Sequence, residues 1–292
     1  MTSSLVKHSL GFWTVAEKPS SSDLQKYYSE KYYQQGLGSY DTQYTDEEIA
    51  YFNAKIEQRY HVVNKHTKGS GRFLDVGCGE GFALSYFRKQ GWDVRGLDFS
   101  AAGVEAQNPH CNDVLKTGDL FALLDDEIAA ADHFDVVWLQ NVLEHVIDPE
   151  GLLESLKQVV APDGLLVVTV PNDFSISQQA AIALGHISKE FWVAIPDHLN
   201  YFDHKSLPAT VEALGWESFE LLGDFPVDWF LFNSGSNYVE NGALGKQAHM
   251  ARVQIENMLH SQPIHVLMNF WSAAGQLGVG RDITIFLRAR EA

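Results

Sequence analysis

Phe73-Leu74-Asp75-Val76-Gly77-Cys78-Gly79-Glu80-Gly81 reads as a buried strand that runs into a glycine-rich turn and straight on into a helix. Glycine lacks a Cβ and tolerates unusual φ/ψ, so such a turn lets a ligand come close to the backbone. The next apolar strand, Trp92-Asp93-Val94-Arg95-Gly96-Leu97-Asp98, ends on a second carboxylate. In a doubly wound nucleotide-binding sheet, a carboxylate there accepts hydrogen bonds from a ribose diol. The pair predicts a small ligand that contains a nucleoside.

The glycine spacing narrows the choice. Dinucleotide sites use G-x-G-x-x-G, with the pyrophosphate on the helix N-terminus. Here Phe82 stands at the third-glycine place, and Glu80 puts negative charge where a pyrophosphate needs neutral donors. An acidic strand end and an acidic loop suit a cation, such as a sulfonium with an amino group. Asp75-Val-Gly-Cys-Gly-Glu-Gly resembles motif I of the class I S-adenosylmethionine (SAM)-dependent methyltransferases. The resemblance continues in order along the chain. Thr117-Gly118-Asp119-Leu120 is similar to the adenine-contacting segment. Phe134 to Val146 resembles the fourth-strand motif, and Pro162 to Pro171 the following turn and fifth strand.

The similarity covers roughly residues 70–222, with the last strand at about 281–289. It implies an α/β fold: a doubly wound, Rossmann-like seven-stranded sheet whose last strand returns antiparallel. It implies SAM as cofactor and S-adenosylhomocysteine as product. The residues expected to line that cofactor are Asp75, Gly77, Cys78, Gly79, Asp98, Phe99, Asp119, Leu120 and Gln140. Asp98 would hold the ribose, and Cys78 reads as a small filler of the loop. The competing readings are a dehydrogenase, which would take NAD, and a SAM-binding protein without catalysis.

Composition excludes several classes. A net charge of −17 disfavours a nucleic-acid substrate, whose phosphates need clustered Lys and Arg. No apolar run approaches the ~20 residues that span a bilayer. The N-terminus shows no basic segment followed by an apolar run, so no secretory signal is expected and the cytoplasm is the default compartment. Two cysteines, Cys78 and Cys111, make no disulfide framework.

Strands alternate regularly with helices from residue 72 onward, near 72–76, 93–98, 113–116, 134–140, 164–170, 217–223 and 281–289. This pattern implies a parallel doubly wound sheet with right-handed crossovers. Residues 1–68 are expected to form an N-terminal arm and helical lid, with a loose segment up to about residue 22. Eight of the eleven tyrosines fall between Tyr27 and Tyr60, which suits a lid that offers π-faces and hydroxyls, or simple packing on the sheet. Thr45-Asp46-Glu47-Glu48 reads as a capping box opening a helix over about 46–66.

Residues 69–224 are the expected SAM-binding core and 281–292 the last core strand. Residues 225–280 form an insertion too long for a hairpin turn. It carries Trp229, Phe230, Phe232, Tyr238, Phe270 and Trp271, and a helix over about 243–260. It reads as an acceptor-binding cap that stacks rings on a sugar or an aromatic, or else as a structural cap or an oligomer interface such as that of a homodimer.

Ligands of open parallel sheets bind beyond the carboxyl ends of the strands, where Gln140 to His145 fall. Methyl transfer to a hydroxyl requires a base and alignment of oxygen, methyl and sulfur. His145 and His198 are the candidate bases, with Glu144 beside them; His198 belongs to Pro196-Asp197-His198-Leu199-Asn200-Tyr201-Phe202, a loop that resembles the His-containing loop of polysaccharide-associated methyltransferases. Ubiquinone-pathway and small-RNA relatives carry Glu-x-x-Glu-His plus a later His around a divalent ion. Here Asn141 replaces the first Glu, which leaves Glu144, His145 and His198 as a weaker ligand set, and a metal is the less favoured alternative. The acceptor expected first is a sugar hydroxyl on a glycan, glycolipid or nucleotide sugar, the last if Lys246, Arg252 or Arg281 converge on its phosphates. A quinone-type phenol or another small molecule is the rival.

Overall fold

The structure is a computed structural model that describes residues 4–20, 23–24 and 43–290. Tyr27, Tyr28, Tyr32, Tyr33 and the Gly36-Leu37-Gly38 break lie outside the described residues. The central sheet has seven strands: β3 (Arg72–Val76), β4 (Asp93–Asp98), β5 (Leu115–Thr117), β6 (Phe134–Gln140), β7 (Val160–Pro171), β9 (Trp216–Gly223) and β10 (Asp282–Ala289). Their order is β5-β4-β3-β6-β7-β10-β9. The first five run parallel, and β10 inserts antiparallel to both β7 and β9. This is the expected doubly wound Rossmann-like sheet.

Side chains alternate along each strand, so the sheet feeds two cores. Leu74, Val76, Val137, Leu139, Leu166 and Ile285 point to one face. There they meet α4 (Leu120–Ala129), α5 (Pro149–Lys157) and α7 (Ser206–Ala213) through residues such as Leu124, Leu153 and Val211. Phe73, Val136, Trp138 and Val167 point to the other. That face is covered by α1 (Asp46–His66), α2 (Phe82–Lys89) and α9 (Ile264–Leu277). The short α3 (Ala102–Gln107) adds Val104.

Local signals set the ends of these helices. Thr45 and Glu48 close a reciprocal capping box at the start of α1. Asp148 caps α5, with Pro149 in its first turn.

Two expectations are corrected. The segment before residue 22 is not simply a loose arm: β1 (Leu5–Lys7) and β2 (Trp13–Val15) pair antiparallel, and β2 pairs with β8 (Asn200–Tyr201). Strands of three residues are too short to show a period. The insertion is also less of a cap than expected. After α8 (Gly245–His260), α9 lies on the sheet, with Trp271 1% exposed in the second core. The remaining element, α6 (Ile176–Ala183), packs near residues 227–232. No helix among the described residues is long and apolar enough to cross a membrane.

Candidate functional site

Beyond the carboxyl end of β3, the turn holds Gly77, Gly79 and Gly81 at φ of +75°, +54° and +73°. A Cβ on Gly77 would collide with Val142, the residue that leads from β6 toward Glu144. The turn therefore packs directly on the fourth-strand loop. Asp98 ties its far side: Oδ2 accepts the Gly79 N–H at 2.8 Å and Oδ1 the Ser100 N–H at 3.0 Å. A carboxylate oxygen has two lone pairs, so both retain capacity for ligand hydroxyls. Asp119 caps α4 through the Ala122 N–H at 3.0 Å.

These residues open on one cavity of about 970 Å³. Each residue named from the sequence for the cofactor, together with Glu144, His145 and His198, contributes to its wall. Asp75 is 2% exposed. Burial first, and Asp98 second, push its carboxyl well above the usual carboxylate range. The cavity thus holds acidic groups that a cation would relieve. Burial also raises the Cys78 thiol, which fits an inert filler.

At the other wall, Glu144 is 1% exposed and its Oε2 makes no hydrogen bond. Burial raises its carboxyl well above the ordinary range, and Asp173, Asp282 and Asp197 add to the rise. His145 Nδ1 lies 2.6 Å from the Asp197 carbonyl oxygen. A carbonyl only accepts, so Nδ1 carries a proton and, in the neutral ring, Nε2 carries the lone pair. Nε2 stands 3.8 Å from Glu144 Oε1. The His145 and His198 rings meet edge to face at 4.8 Å. One ligand atom from each of Glu144, His145 and His198 can be chosen so that all lie within 4.8 Å of one another.

Asn200 holds the two loops together. Its Nδ2 donates to the Leu143 and Val146 carbonyls at 3.2 and 2.8 Å, and its Oδ1 accepts from Thr14 Oγ1 at 3.0 Å. The Glu144 carbonyl accepts from the Leu199 and Asn200 N–H groups at 2.7 and 3.0 Å. The small β1-β2-β8 sheet therefore braces the histidine loop.

On a third wall, sequence reasoning named Arg252 and the tyrosine-rich helix but missed Phe52, Lys55 and Arg59. Tyr51, Phe52, Lys55 and Arg59 of α1 and Arg252 of α8 reach the cavity. Arg59 Nη1 donates to Gln140 Oε1 at 2.7 Å, and its guanidinium lies 5.9 Å from the centroid of the Trp138 ring. The Lys55, Arg59 and Tyr51 spacing along one helix was the available signal, though it reads equally well as an ordinary amphipathic face.

The expected stacking surface is elsewhere. None of Trp229, Phe230, Phe232, Tyr238, Phe270 and Trp271 lines the cavity. Trp229 instead donates to Ser177 Oγ, and Tyr238 to Asp228 Oδ1. Lys246 is exposed, and Arg281 pairs with Asp173 at 3.3 Å, so of the three bases considered for phosphates only Arg252 faces the cavity.

Comparison with known proteins bears on the family and the fold. The ubiquinone biosynthesis O-methyltransferase of Rhodopseudomonas palustris (strain TIE-1) is 29% identical over 142 residues, 48% of this chain and 54% of that protein. The protein of the same name from Aromatoleum aromaticum is 28% identical over 155 residues, 52% and 66% respectively. The chain spans about half the length of the R. palustris relatives it matches. Among solved structures, the 1,6-didemethyltoxoflavin-N1-methyltransferase of Burkholderia thailandensis superposes with a TM-score of 0.51 at 11% identity, covering 99% of this chain and 100% of its own. A SAM-dependent methyltransferase from Archaeoglobus fulgidus gives 0.50 at 19%, covering 80% and 93%. At these identities the likeness is one of fold. The family model described as a methyltransferase domain matches residues 46–221, more than half of the chain. With its sheet order and glycine turn, the chain belongs to the methyltransferase-domain family and has the class I SAM-dependent methyltransferase fold.

Proposed function

We propose that the chain binds SAM in this cavity and methylates the hydroxyl of a small phenolic acceptor. The observation that carries the reading is the shared cavity: the glycine turn with Asp75 and Asp98 faces the same space as Glu144, His145 and His198. Relatives named ubiquinone biosynthesis O-methyltransferase favour a quinone-type phenol over a sugar. The sugar reading leaned on the ring-rich insertion, whose aromatics pack away from the cavity.

SAM, when bound, supplies an electrophilic methyl on its sulfonium, which the hydroxyl oxygen takes as the carbon–sulfur bond breaks. The residues present fit it. Asp98 would offer lone pairs to the ribose, Asp119 and Leu120 would border the adenine, and Asp75 would face the positive amino acid end. Arg59, bonded to Gln140 on the wall of the same cavity, is the cation that would meet the cofactor carboxylate.

The hydroxyl proton goes to the histidine pair. A phenol with a pKa of about 10 is within reach of a neutral imidazole. His198 lies on the loop after β7 and is the base read from the sequence; on His145, Nε2 is the nitrogen able to accept.

The buried Glu144 Oε2 without a partner favours a second reading, in which Glu144, His145 and His198 hold a divalent cation that polarises the acceptor oxygen. Two imidazoles and one carboxylate suit a borderline metal better than Mg2+.

Incubation with SAM and each of two catechols, the neutral 3,4-dihydroxybenzyl alcohol and the anionic 3,4-dihydroxybenzoate, tests the function, product from either one supporting it. Formation of a mono-O-methyl product is the expected result; SAM binding without any product would leave a non-catalytic binding protein. Activity that survives EDTA keeps the histidine base, whereas loss restored by a divalent ion establishes the second reading.

A further inference from the structure

Lys55, Arg59 and Arg252 are the basic side chains among the described residues of the cavity wall. The first sits in ion pairs, and the second is bonded to a neutral amide. Lys55 Nζ lies 2.6 Å from Asp224 Oδ2 and 3.6 Å from Asp282 Oδ2. Arg59 is held by Gln140 and the Trp138 ring, beside the cofactor loop.

Arg252 is different. Among the described residues it forms no ion pair within 4.0 Å. Its Nε is buried without a hydrogen bond, and its Nη2 makes only a long contact of 3.4 Å to His249 Nδ1. The guanidinium lies 5.3 Å from the centroid of the Tyr51 ring, another wall residue. Glu256, one turn further along α8, is 1% exposed with both oxygens lacking hydrogen bonds. Burial holds its carboxyl at about 7, so near neutrality it balances Arg252 only in part. Asp224 and Asp282 are already engaged by Lys55. Arg252 and Asp282 line the same cavity as Glu144, His145 and His198.

We propose that Arg252 is an anion anchor for the acceptor: the cavity selects a phenol that bears a carboxylate and rejects its neutral analogue. This rests on the reading of a small phenolic acceptor. A charge-assisted bond from a guanidinium to a carboxylate is directional. A desolvated site group that the wrong substrate leaves unpaired gives strong discrimination. With Arg59 bonded to Gln140 and available to the cofactor's carboxylate, Arg252 remains for the acceptor.

Calorimetry on the protein loaded with S-adenosylhomocysteine tests the anchor, with 3,4-dihydroxybenzoate and its methyl ester as probes. The wild type is expected to bind the benzoate at least about tenfold more tightly than the ester. Arg252→Gln should bring that ratio close to one, Arg252→Lys should keep part of it, and affinity for S-adenosylhomocysteine should change by less than about twofold in both. Equal binding of the two probes by the wild type, or binding of neither, overturns the anchor without recourse to a variant. So does an Arg252→Gln protein that loses S-adenosylhomocysteine instead, because the guanidinium then serves the cofactor. Turnover separates the two proposals. Methylation of both probes at equal efficiency keeps the phenol reading and removes the anchor; selective benzoate binding with methylation of neither probe keeps the anchor and removes the phenol reading.

Discussion

Asp75 and Asp98 carry most of the information at the scale of single residues. Both carboxyls are raised by burial, and Asp75 further by Asp98. A group whose pKa lies above its ordinary value in the empty site ionises more readily once a cation arrives. Binding of SAM should therefore release protons from Asp75, and affinity should rise with pH until Asp75 is ionised in the free protein. Titration in two buffers of different ionisation enthalpy measures this; proton uptake would contradict it. Gly77→Ala should abolish SAM binding or folding, since the residue sits at φ +75° against Val142. These acids and glycines were legible from the sequence because they are local, bounded by a strand before and a helix after. Lys55 and Arg59 were not, because nothing in their helix marks its inward face; Arg252 was named only as one of three bases for an acceptor phosphate, since helices far apart in the chain give no sign that they converge.

Single elements explain how the catalytic loop is held. Asn200, fully buried, links β8 to the fourth-strand loop and to Thr14 of β2. Asn200→Ala strands the Leu143 and Val146 carbonyls while Thr14 keeps the Leu199 carbonyl, and should cost about 3 kcal/mol of stability with a fall in kcat larger than the loss of SAM affinity. Denaturant titration and steady-state kinetics check this; an unchanged kcat would show that the brace has no part in positioning His198. The helix α8 makes a separate prediction. Glu256 binds its proton more tightly in the folded chain, so folding is penalised progressively as pH rises from its ordinary 4.5 to about 7, and fully above that. Glu256→Gln should raise Tm at pH 8 and have little effect at pH 4, as thermal melts would show. Helices and strands of the core were readable from periodicity, and the capping box placed the start of α1. The short β1-β2-β8 sheet and α9 were not: three-residue strands carry no period, and the apolar face of α9 reads the same whether it caps an acceptor or covers a sheet.

The whole molecule divides into a sheet with two cores and a single rim of loops at its carboxyl edge. Alternating side chains make the sheet indifferent to what the rim does, which is why the fold was legible in the sequence while the acceptor was not. The motifs near 75–81 and 98 speak for the donor. On the proposed reading, the acceptor would be set by groups from α1, α8 and the two loops joined by Asn200. A chain with a net charge of −17 that gathers three bases in one cavity has placed them against its overall field. Everything proposed for the acceptor depends on SAM occupying this cavity through Asp98. The direct measurement is calorimetric titration of S-adenosylhomocysteine into the wild type and Asp98→Ala. The account predicts stoichiometric binding by the wild type, weakened at least about tenfold in the variant, and no heat with NAD. Unchanged affinity in Asp98→Ala, or binding of NAD in its place, would contradict it.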